Sequence, residues 1–295
     1  MTNSLEAEIE ALATTAVTEV GRYEPIGKIH WPGGAQIAVN FTADFDAMLL
    51  RRLANETPSQ LAKGEFGGRV GIWRLLELFD GHGIKATIFT PGRICELYPQ
   101  AVAAAARSGH EIADHMWEHR VPKEPDLEQD HLRKASDAIA RLTGRRPCGT
   151  RSWHTPALLK AEGFIYNSHG SVRHGPCYST TADGRDRLVE LPFHYAIDDA
   201  MFYNFAWLQS EPGEQRLSDP DRVLEMWWAG FRQQHRSGGY FNICLHPFIS
   251  GRALRIAMLD KLIERMKQLP GVWFGTCADV ARHCIAHHPP QRGPS

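Results

Sequence analysis

Short apolar segments alternate with amphipathic ones along most of this sequence, and this alternation limits the possible folds more than any other feature. Residues 85–90 and 240–245 are short and rich in β-branched or aromatic side chains, which is typical of buried strands. After Val70, apolar residues recur at i, i+3, i+4 and i+7, which predicts an amphipathic helix. Repeated strand–helix units without an internal break predict one parallel sheet. Seven or eight such strands favour a closed α/β barrel of the (β/α)7–8 type over an open sheet.

The remaining predicted elements follow the same pattern. Asp126 is predicted to cap a helix that ends before Gly144, and Asp219 to cap a helix that begins with Pro220. The predicted strands cover residues 36–42, 85–90, 111–114, 164–167, 188–191, 240–245 and 272–275. The predicted helices cover residues 70–81, 97–107, 126–143, 156–162, 220–231, 253–269 and 277–286.

The two ends of the chain and one internal segment do not follow the alternation. Residues 4–20 have apolar positions at roughly helical spacing, which predicts a peripheral helix or a subunit contact. Residues 49–68 are polar and irregular, which predicts a long loop over the mouth of the fold that carries substrate contacts. We therefore predict one catalytic domain over residues 1–295, with an N-terminal arm (1–34), the barrel (35–286) and a frayed tail (287–295).

The net charge limits the possible binding partners, and the cysteine content indicates the cellular compartment. The chain has 33 Lys and Arg against 34 Asp and Glu, a formal charge of −1, which argues against nucleic acid or an anionic membrane as the main partner. No segment has the apolar length of a membrane span, and residues 1–21 lack the basic leader and apolar core of a signal peptide. The six cysteines form no CxxC pair, which favours reduced thiols and a cytoplasmic protein that acts on a soluble small molecule.

A pair of histidines four residues apart is the first candidate for chemistry. His115 and His119 directly follow the predicted strand 111–114. If the chain continues as a helix there, both imidazoles lie on one face and reach a single point. Neutral imidazoles at this spacing favour a divalent cation such as zinc. Because the chain has 15 histidines, a pair at this spacing also arises by chance.

Two carboxylates support the metal interpretation. The predicted strand 36–42 leads into Asp44 and Asp46, which alternation places on one face of an extended chain. Two carboxylates on one buried face need a bound cation or a proton to compensate their negative charge. The acids, the histidine pair and His246 all lie at or just after the C-terminal ends of predicted strands, where barrels form their active sites.

Several motifs resemble those of one known family. They are DFD at 44–46, GHEIADHMWEH at 109–119, GFIYNS at 163–168, LVELP at 188–192 and LHP at 245–247. Together they resemble the polysaccharide deacetylase (NodB homology, carbohydrate esterase 4-like) superfamily. Within it, the chain is most similar to the intracellular branch of peptidoglycan-deacetylase-like proteins, cyclic imide hydrolases and allantoinase-like members. The similarity extends from Tyr23 to Arg282.

The resemblance implies a metal-dependent hydrolase on a distorted barrel. One divalent metal, usually zinc but also cobalt, manganese or iron, would be held by Asp46, His115 and His119. Asp44 would be the general base and His246 the general acid that protonates a leaving nitrogen. Because the allantoinase-like relatives replace the acid pair, the presence of both acids favours the metal-dependent members.

Five further positions are candidates for substrate binding. The segment 149–154 only partly matches the Arg-x-Pro element of the family, and residues 166–169 and 173–175 differ from relatives, which predicts a rebuilt pocket wall. Each candidate also has a structural explanation: Trp117 and Trp153 could pack in the core, Asp199 could lie on a solvated turn, and Arg252 could begin a surface helix. The candidates are Arg151, Trp117, Trp153, Asp199 and Arg252.

Four functions remain open from the sequence. The preferred one is hydrolysis of a small cyclic imide or ring amide by a homo-oligomeric enzyme, and the alternative is deacetylation of an N-acetylated sugar. HMWEH also fits the HxxEH signature of inverted zinc peptidases, in which Glu118 would be the base. A barrel that binds metabolites without turnover is the fourth possibility.

Overall fold

One buried strand, β2 (Ile37–Asp44), connects the two halves of the sheet. It pairs in parallel with β3 (Thr87–Thr90), with β9 (Tyr240–Leu245) and with β10 (Val272–Phe274). All of its residues are buried, as expected for a parallel strand that is covered on both faces. The structure is a computed structural model that describes residues 7–15, 22–53, 55–169, 173–181, 186–203 and 218–290.

The sheet continues away from β3 through four more parallel strands. These are β4 (Glu111–Asp114), β5 (Gly149–Thr150), β6 (Tyr166–Asn167) and β8 (Arg187–Glu190). Two further strands form an antiparallel edge. β8 pairs with β7 (Cys177–Thr180), which in turn pairs with β1 (Tyr23–Pro25).

The curled sheet brings β8 and β9 close together without a continuous ladder between them. The side-chain amide of Asn242 on β9 donates to the carbonyl oxygens of Leu191 (3.3 Å) and Pro192 (3.4 Å), which follow β8. Asp198 forms an isolated parallel bridge with Cys244. These contacts bridge the seam of a distorted barrel, and the fold class predicted from the sequence is confirmed.

Helices pack on the outside of the sheet. Ile37, Val39 and Phe41 of β2 share one hydrophobic cluster with Leu75 and Leu262, which lie on two of these helices. Residues 7–15 (α1) are helical and exposed. The other helices are α2 (Leu49–Leu53), α3 (Pro58–Phe66), α4 (Ile72–Gly81), α5 (Gly92–Leu97), α6 (Pro99–Arg107), α7 (Pro125–Thr143), α8 (Pro156–Ala161), α9 (Ala200–Tyr203), α10 (Pro220–Ser237), α11 (Pro247–Ser250), α12 (Ala253–Lys267) and α13 (Cys277–His287).

The predicted loop over residues 49–68 is wrong. The segment forms α2 and α3 and continues through a π-helical turn, Gly67–Gly71, into α4. A Cβ at Gly64 would lie 2.6 Å from the Cα of Met48, and one at Gly71 would overlap the carbonyl of Pro247. These glycines, which suggest a loop in the sequence, allow close backbone approach between packed segments.

The ends of the chain differ from the prediction in two places. The arm contributes β1 to the sheet edge, and neither β1 nor β7 was predicted. The predicted frayed tail begins later, because His287 belongs to α13 and the carbonyl of His288 accepts a hydrogen bond from Tyr178 at 3.0 Å. Residues 4–6, 16–20 and 291–295 lie outside the described residues. Across the described helices, none has both the length and the apolar character needed to cross a membrane.

Candidate active site

Polar side chains from three distant segments meet at the C-terminal edge of the sheet. Oδ1 of Asp46 lies 3.5 Å from Nε2 of His115 and 3.9 Å from Nε2 of His119. Oδ2 of Asp46 lies 3.9 Å from Nε2 of His246, which follows β9. Asp44, the last residue of β2, places Oδ2 3.8 Å from Nε2 of His115. The structure therefore brings together all five residues predicted to carry the chemistry.

The surroundings of Asp46 suit a cation. Asp46 is fully buried, and neither of its carboxylate oxygens has a hydrogen-bond partner among the residues that the structure describes. Burial, with the nearby charge of Asp44, raises the pKa of this carboxyl although the histidines oppose the shift. One ligand atom from each of Asp46, His115 and His119 lies within 4.8 Å of the others. One carboxylate and two imidazoles around an uncompensated buried charge fit a divalent metal such as zinc.

Two other groups of potential ligands lie nearby but fit a metal less well. In the first, Asp44, Cys244 and His246, Asp44 already accepts from a guanidinium. Burial raises the pKa of Cys244 well above its usual value, so the thiol stays protonated. In the second, Asp198, Asp199 and His246, both oxygens of Asp199 accept hydrogen bonds from protein groups.

The histidine pair lies on a tight turn, and the predicted helix after Asp114 is wrong. Met116 (φ 67°) and His119 (φ 59°) adopt the left-handed conformation. The turn is held by the backbone N–H of Met116, which donates to the Asp114 carboxylate at 3.1 Å. The backbone N–H of Gly92 donates to the carbonyl of Met116 at 2.9 Å. The imidazoles therefore converge through tertiary contacts and not through helical spacing.

Both imidazoles of the pair are neutral, as metal ligands must be. Nδ1 of His115 lies 2.5 Å from the carbonyl oxygen of Arg151, which directs Nε2 toward Asp46. Burial lowers the pKa of His115, although Asp44 and Asp46 oppose the shift. Burial lowers the pKa of His119 to about 4. At neutral pH both imidazoles therefore lack the positive charge that would repel a cation.

Asp44 is held by a buried arginine. Arg151 donates from Nη1 to Oδ1 of Asp44 at 2.5 Å, and its guanidinium also donates to Thr42 and Ser168. The guanidinium carbon lies 4.2 Å from the ring centroid of Phe89. Burial raises the pKa of Asp44, but Arg151 and the histidines outweigh it, so the pKa is lowered. Arg151, which we predicted to bind substrate, is 3% exposed and positions Asp44.

His246 is held by a buried acid. Its Nδ1 lies 2.7 Å from Oδ1 of Asp199, while its backbone N–H donates to Oδ2 at 2.8 Å. Burial lowers the pKa of His246, but the charges of Asp199 and Asp198 and the hydrogen bond outweigh it and raise the pKa to about 10. Asp199, also predicted to contact substrate, is fully buried and orients His246.

The remaining predicted substrate contacts lie in different environments. Trp153 is 57% exposed, and its ring meets the ring of His119 edge to face at 5.5 Å, so it lines the approach to the site. Trp117 is 3% exposed and packs beneath the ammonium of Lys134, 4.0 Å from the ring centroid, so the structure places it in the core and not at the site. Arg252 faces a separate cavity.

Three polar residues that the sequence did not single out support the site. Ser250 donates to Oδ2 of Asp199 at 2.5 Å, Ser168 accepts from Arg151 at 3.1 Å, and Thr42 accepts from it at 3.0 Å. The one available signal was a short polar residue within an otherwise buried segment, which is too common to identify a site.

The position of Glu118 does not support the peptidase alternative. Its carboxylate lies 2.7 Å from Nε of Arg93 and 3.3 Å from Nη2 of Arg52. The hydrogen bond from Arg93 and the two positive charges lower the pKa of Glu118 although partial burial opposes them. A carboxylate held in this way is a surface ion pair and not a base beside the histidines.

Comparisons with known proteins show which family the chain resembles. Residues 66–161 match the family described as polysaccharide deacetylase. A peptidoglycan deacetylase of Helicobacter pylori is 28% identical over 291 residues, which cover 86% of this chain and 98% of the relative. A solved putative polysaccharide deacetylase from Mycobacterium smegmatis is 31% identical with a TM-score of 0.83, over 92% of this chain and 98% of that one. Puue allantoinase is 25% identical with a TM-score of 0.79, over the same shares.

Proposed function

The chain belongs to the polysaccharide deacetylase family, and from this premise we propose that it is a metal-dependent hydrolase of non-peptide C–N bonds in amides or imides. One observation carries the proposal. Asp46 is fully buried and its carboxylate has no hydrogen-bond partner within the described ranges, while the Nε2 atoms of His115, His119 and His246 lie 3.5–3.9 Å from its oxygens. A buried carboxylate in this setting is costly unless a cation compensates it.

A divalent cation, for which we propose zinc, would be held by Asp46, His115 and His119 and would supply Lewis-acid chemistry and a water of lowered pKa. We propose that Asp44, beside this group, is the general base. Because Arg151 lowers its pKa, Asp44 is ionised at neutral pH and can accept a proton at Oδ2, which faces His115.

His246 is suited to protonate the leaving nitrogen. Its Nδ1 is held by Asp199, so the ring orientation leaves Nε2 facing the site. The raised pKa keeps the imidazole charged, and a charged imidazole can give a proton to an amide nitrogen that would otherwise be a poor leaving group. Base and acid thus have pKa values shifted in opposite directions, which suits their two roles.

We propose that the substrate is a small cyclic imide or ring amide. The reacting residues Asp44, Asp46 and His246 are 5%, 0% and 9% exposed, and this favours a compact substrate over a polymer chain. The similarity to Puue allantoinase points in the same direction. A cytoplasmic location and a homo-oligomeric assembly, predicted from the sequence, belong to this proposal.

Deacetylation of an N-acetylated sugar is the second candidate. The relative from Helicobacter pylori carries the name peptidoglycan deacetylase, and the same acid, base and cation would cleave an acetamide. The exposed ring of Trp153 beside His119 offers a surface on which a sugar ring can pack.

A substrate panel separates the two candidates. Purified protein of measured metal content is assayed with succinimide, maleimide and hydantoin beside chito-oligosaccharides. We expect ring opening of at least one imide, abolished in Asp44→Asn. Acetate release from the sugars with intact imide rings would instead establish the deacetylase. Metal-loaded protein that hydrolyses neither group would refute the proposed function.

A further inference from the structure

A cavity with several positive charges lies next to the active site. Its volume is about 170 Å³. It is formed where α2, α3, α9, α11 and the start of α12 come together. Four of its lining side chains are cationic, and the others are aromatic or aliphatic. The lining residues are Arg51, Lys63, Tyr203, Phe248, Ile249, Arg252 and Arg255.

Aromatic rings fix the position of all three guanidinium groups of the cavity. The guanidinium carbon of Arg252 lies 4.2 Å from the ring centroid of Phe66, and that of Arg255 lies 4.5 Å from the ring of Tyr203. The guanidinium of Arg51 lies 5.6 Å from the ring of Phe248. A ring contact restricts a guanidinium without using its N–H donors, so the donors of Arg252 and Arg255 remain available for a ligand, whereas Nη1 of Arg51 already donates to Glu56.

The positive charge of the cavity is only partly compensated. Arg51 pairs with Glu56 at 2.8 Å. Within the described ranges, no carboxylate lies within 4 Å of Lys63, Arg252 or Arg255. Burial and the like charges of Arg255 and Arg74 lower the pKa of Arg252. Like charges brought together in this way favour the binding of an anion.

Two buried polar atoms beside the cavity lack partners. Nε of Arg255 and the hydroxyl of Tyr203 have no hydrogen-bond partner in the described part of the chain, and Tyr203 is 5% exposed. Buried donors are normally satisfied by protein, water or ligand. Planar guanidinium groups match the geometry of phosphate and carboxylate, which accept two parallel hydrogen bonds.

The cavity is separate from the catalytic centre. The ring of Phe248 lies between them, with its centroid 5.8 Å from the ring of His246 and 5.6 Å from the guanidinium carbon of Arg51. The prediction that Arg252 contacts the substrate is therefore revised. We propose that this cavity binds a small oxyanion, either phosphate or a carboxylate, at a site distinct from the catalytic centre.

The test is calorimetric titration of the metal-loaded full chain with inorganic phosphate and, separately, with succinate at constant ionic strength. We expect saturable binding of at least one anion. In Arg255→Met the dissociation constant should rise by about tenfold or more, because a hydrogen bond to a charged group is lost. The exposed Lys63→Met variant should weaken binding in the same direction and should not perturb folding.

Arg265→Met is the matched control. Arg265 lies on α12 like Arg255, but it is on the surface and pairs with Glu225 at 2.7 Å. We expect its effect on anion binding to stay below about twofold. If only phosphate or only succinate binds, the result shows whether the cavity accepts a phosphate or a carboxylate. Absence of saturable binding overturns the proposal. Binding that Arg255→Met and Lys63→Met leave unchanged also overturns it, because the anion would then bind outside this cavity, for example at the metal centre. The readout is heat, so it does not depend on the hydrolase proposal.

Discussion

Asp199 binds His246 through both the side chain and the backbone. Oδ1 of Asp199 lies 2.7 Å from Nδ1 of His246, and Oδ2 accepts the backbone N–H of His246 at 2.8 Å. Ser250 also donates to Oδ2. Because Asp199 is fully buried, this carboxylate fixes the ring orientation and stabilises the charged imidazole.

Asp199→Asn should therefore alter the pH profile as well as the rate. A general acid must be protonated, so activity is lost as pH rises through the pKa of His246. Removing the charge lowers this pKa, and the alkaline limb of kcat/KM should move to lower pH with a fall in rate of about 10²-fold. Asp198→Asn is the control, since Asp198 lies 3.8 Å from Nδ1 without a hydrogen bond and should cause a smaller shift. An unchanged alkaline limb in Asp199→Asn would contradict the assigned role.

Arg151→Met should shift the acidic limb in the opposite sense. The base must be ionised, and activity is lost as pH falls through the pKa of Asp44. Without Arg151, burial raises this pKa, so the acidic limb of kcat/KM should move to higher pH. Stability should fall by about 3–5 kcal/mol, because a buried charge loses its partner. Urea unfolding measures the loss, and the double variant Arg151→Met/Asp44→Asn should recover part of it. Failure of the double variant to recover stability would exclude this pairing as the cause.

Asp46→Asn tests the cation site with two readouts. Metal content, measured by elemental analysis after dialysis, should drop because affinity falls by more than about 100-fold. With metal removed from both proteins, the variant should melt no lower than the wild type, because its amide replaces an uncompensated buried carboxylate. Added zinc should raise the Tm of the wild type alone. Retention of metal by the variant would exclude Asp46 as a metal ligand and refute the proposed cation site.

Glu190→Gln tests a buried acid away from the cation site. Burial raises the pKa of Glu190 from its ordinary 4.5 to about 8, although hydrogen bonds from Ser179 and the backbone of His169 oppose the shift. The folded state therefore prefers the protonated form. This stability is complete below pH 4.5 and is lost as pH rises toward 8.

Between pH 4.5 and 8 the free energy of unfolding of the wild type should fall more steeply with pH than that of Glu190→Gln. The slopes should differ by up to about 1.4 kcal/mol per pH unit. Urea titrations between pH 5 and 8 measure the difference. Glu162→Gln is the control, because the hydrogen bond from Arg133 lowers the pKa of Glu162, and its contribution changes only at lower pH. Parallel stability curves for wild type and Glu190→Gln would show that Glu190 is ionised in the folded protein.

The local sequence pattern predicted the helices and strands better than it predicted the tertiary contacts between them. The strands Glu111–Asp114 and Tyr240–Leu245 have the predicted bounds, because a buried strand needs an apolar run between turn residues. The segment 49–68 was misjudged because its glycines serve close packing. The turn of His115 and His119 was misjudged because contacts with Asp114 and Gly92 stabilise positive φ angles that no local pattern indicates.

The sequence alone determined which residues can take part in the chemistry. Parallel strands end at one edge, so polar residues after β2, β4 and β9 had to approach one another. Only the tertiary structure decided which neighbours each of these residues contacts. Arg151 lies behind Asp44 although 107 positions separate them, and Trp117, only two positions from a predicted ligand, packs in the core. Such contacts depend on the packing of the whole sheet and its helices, which the spacing of neighbouring residues does not encode.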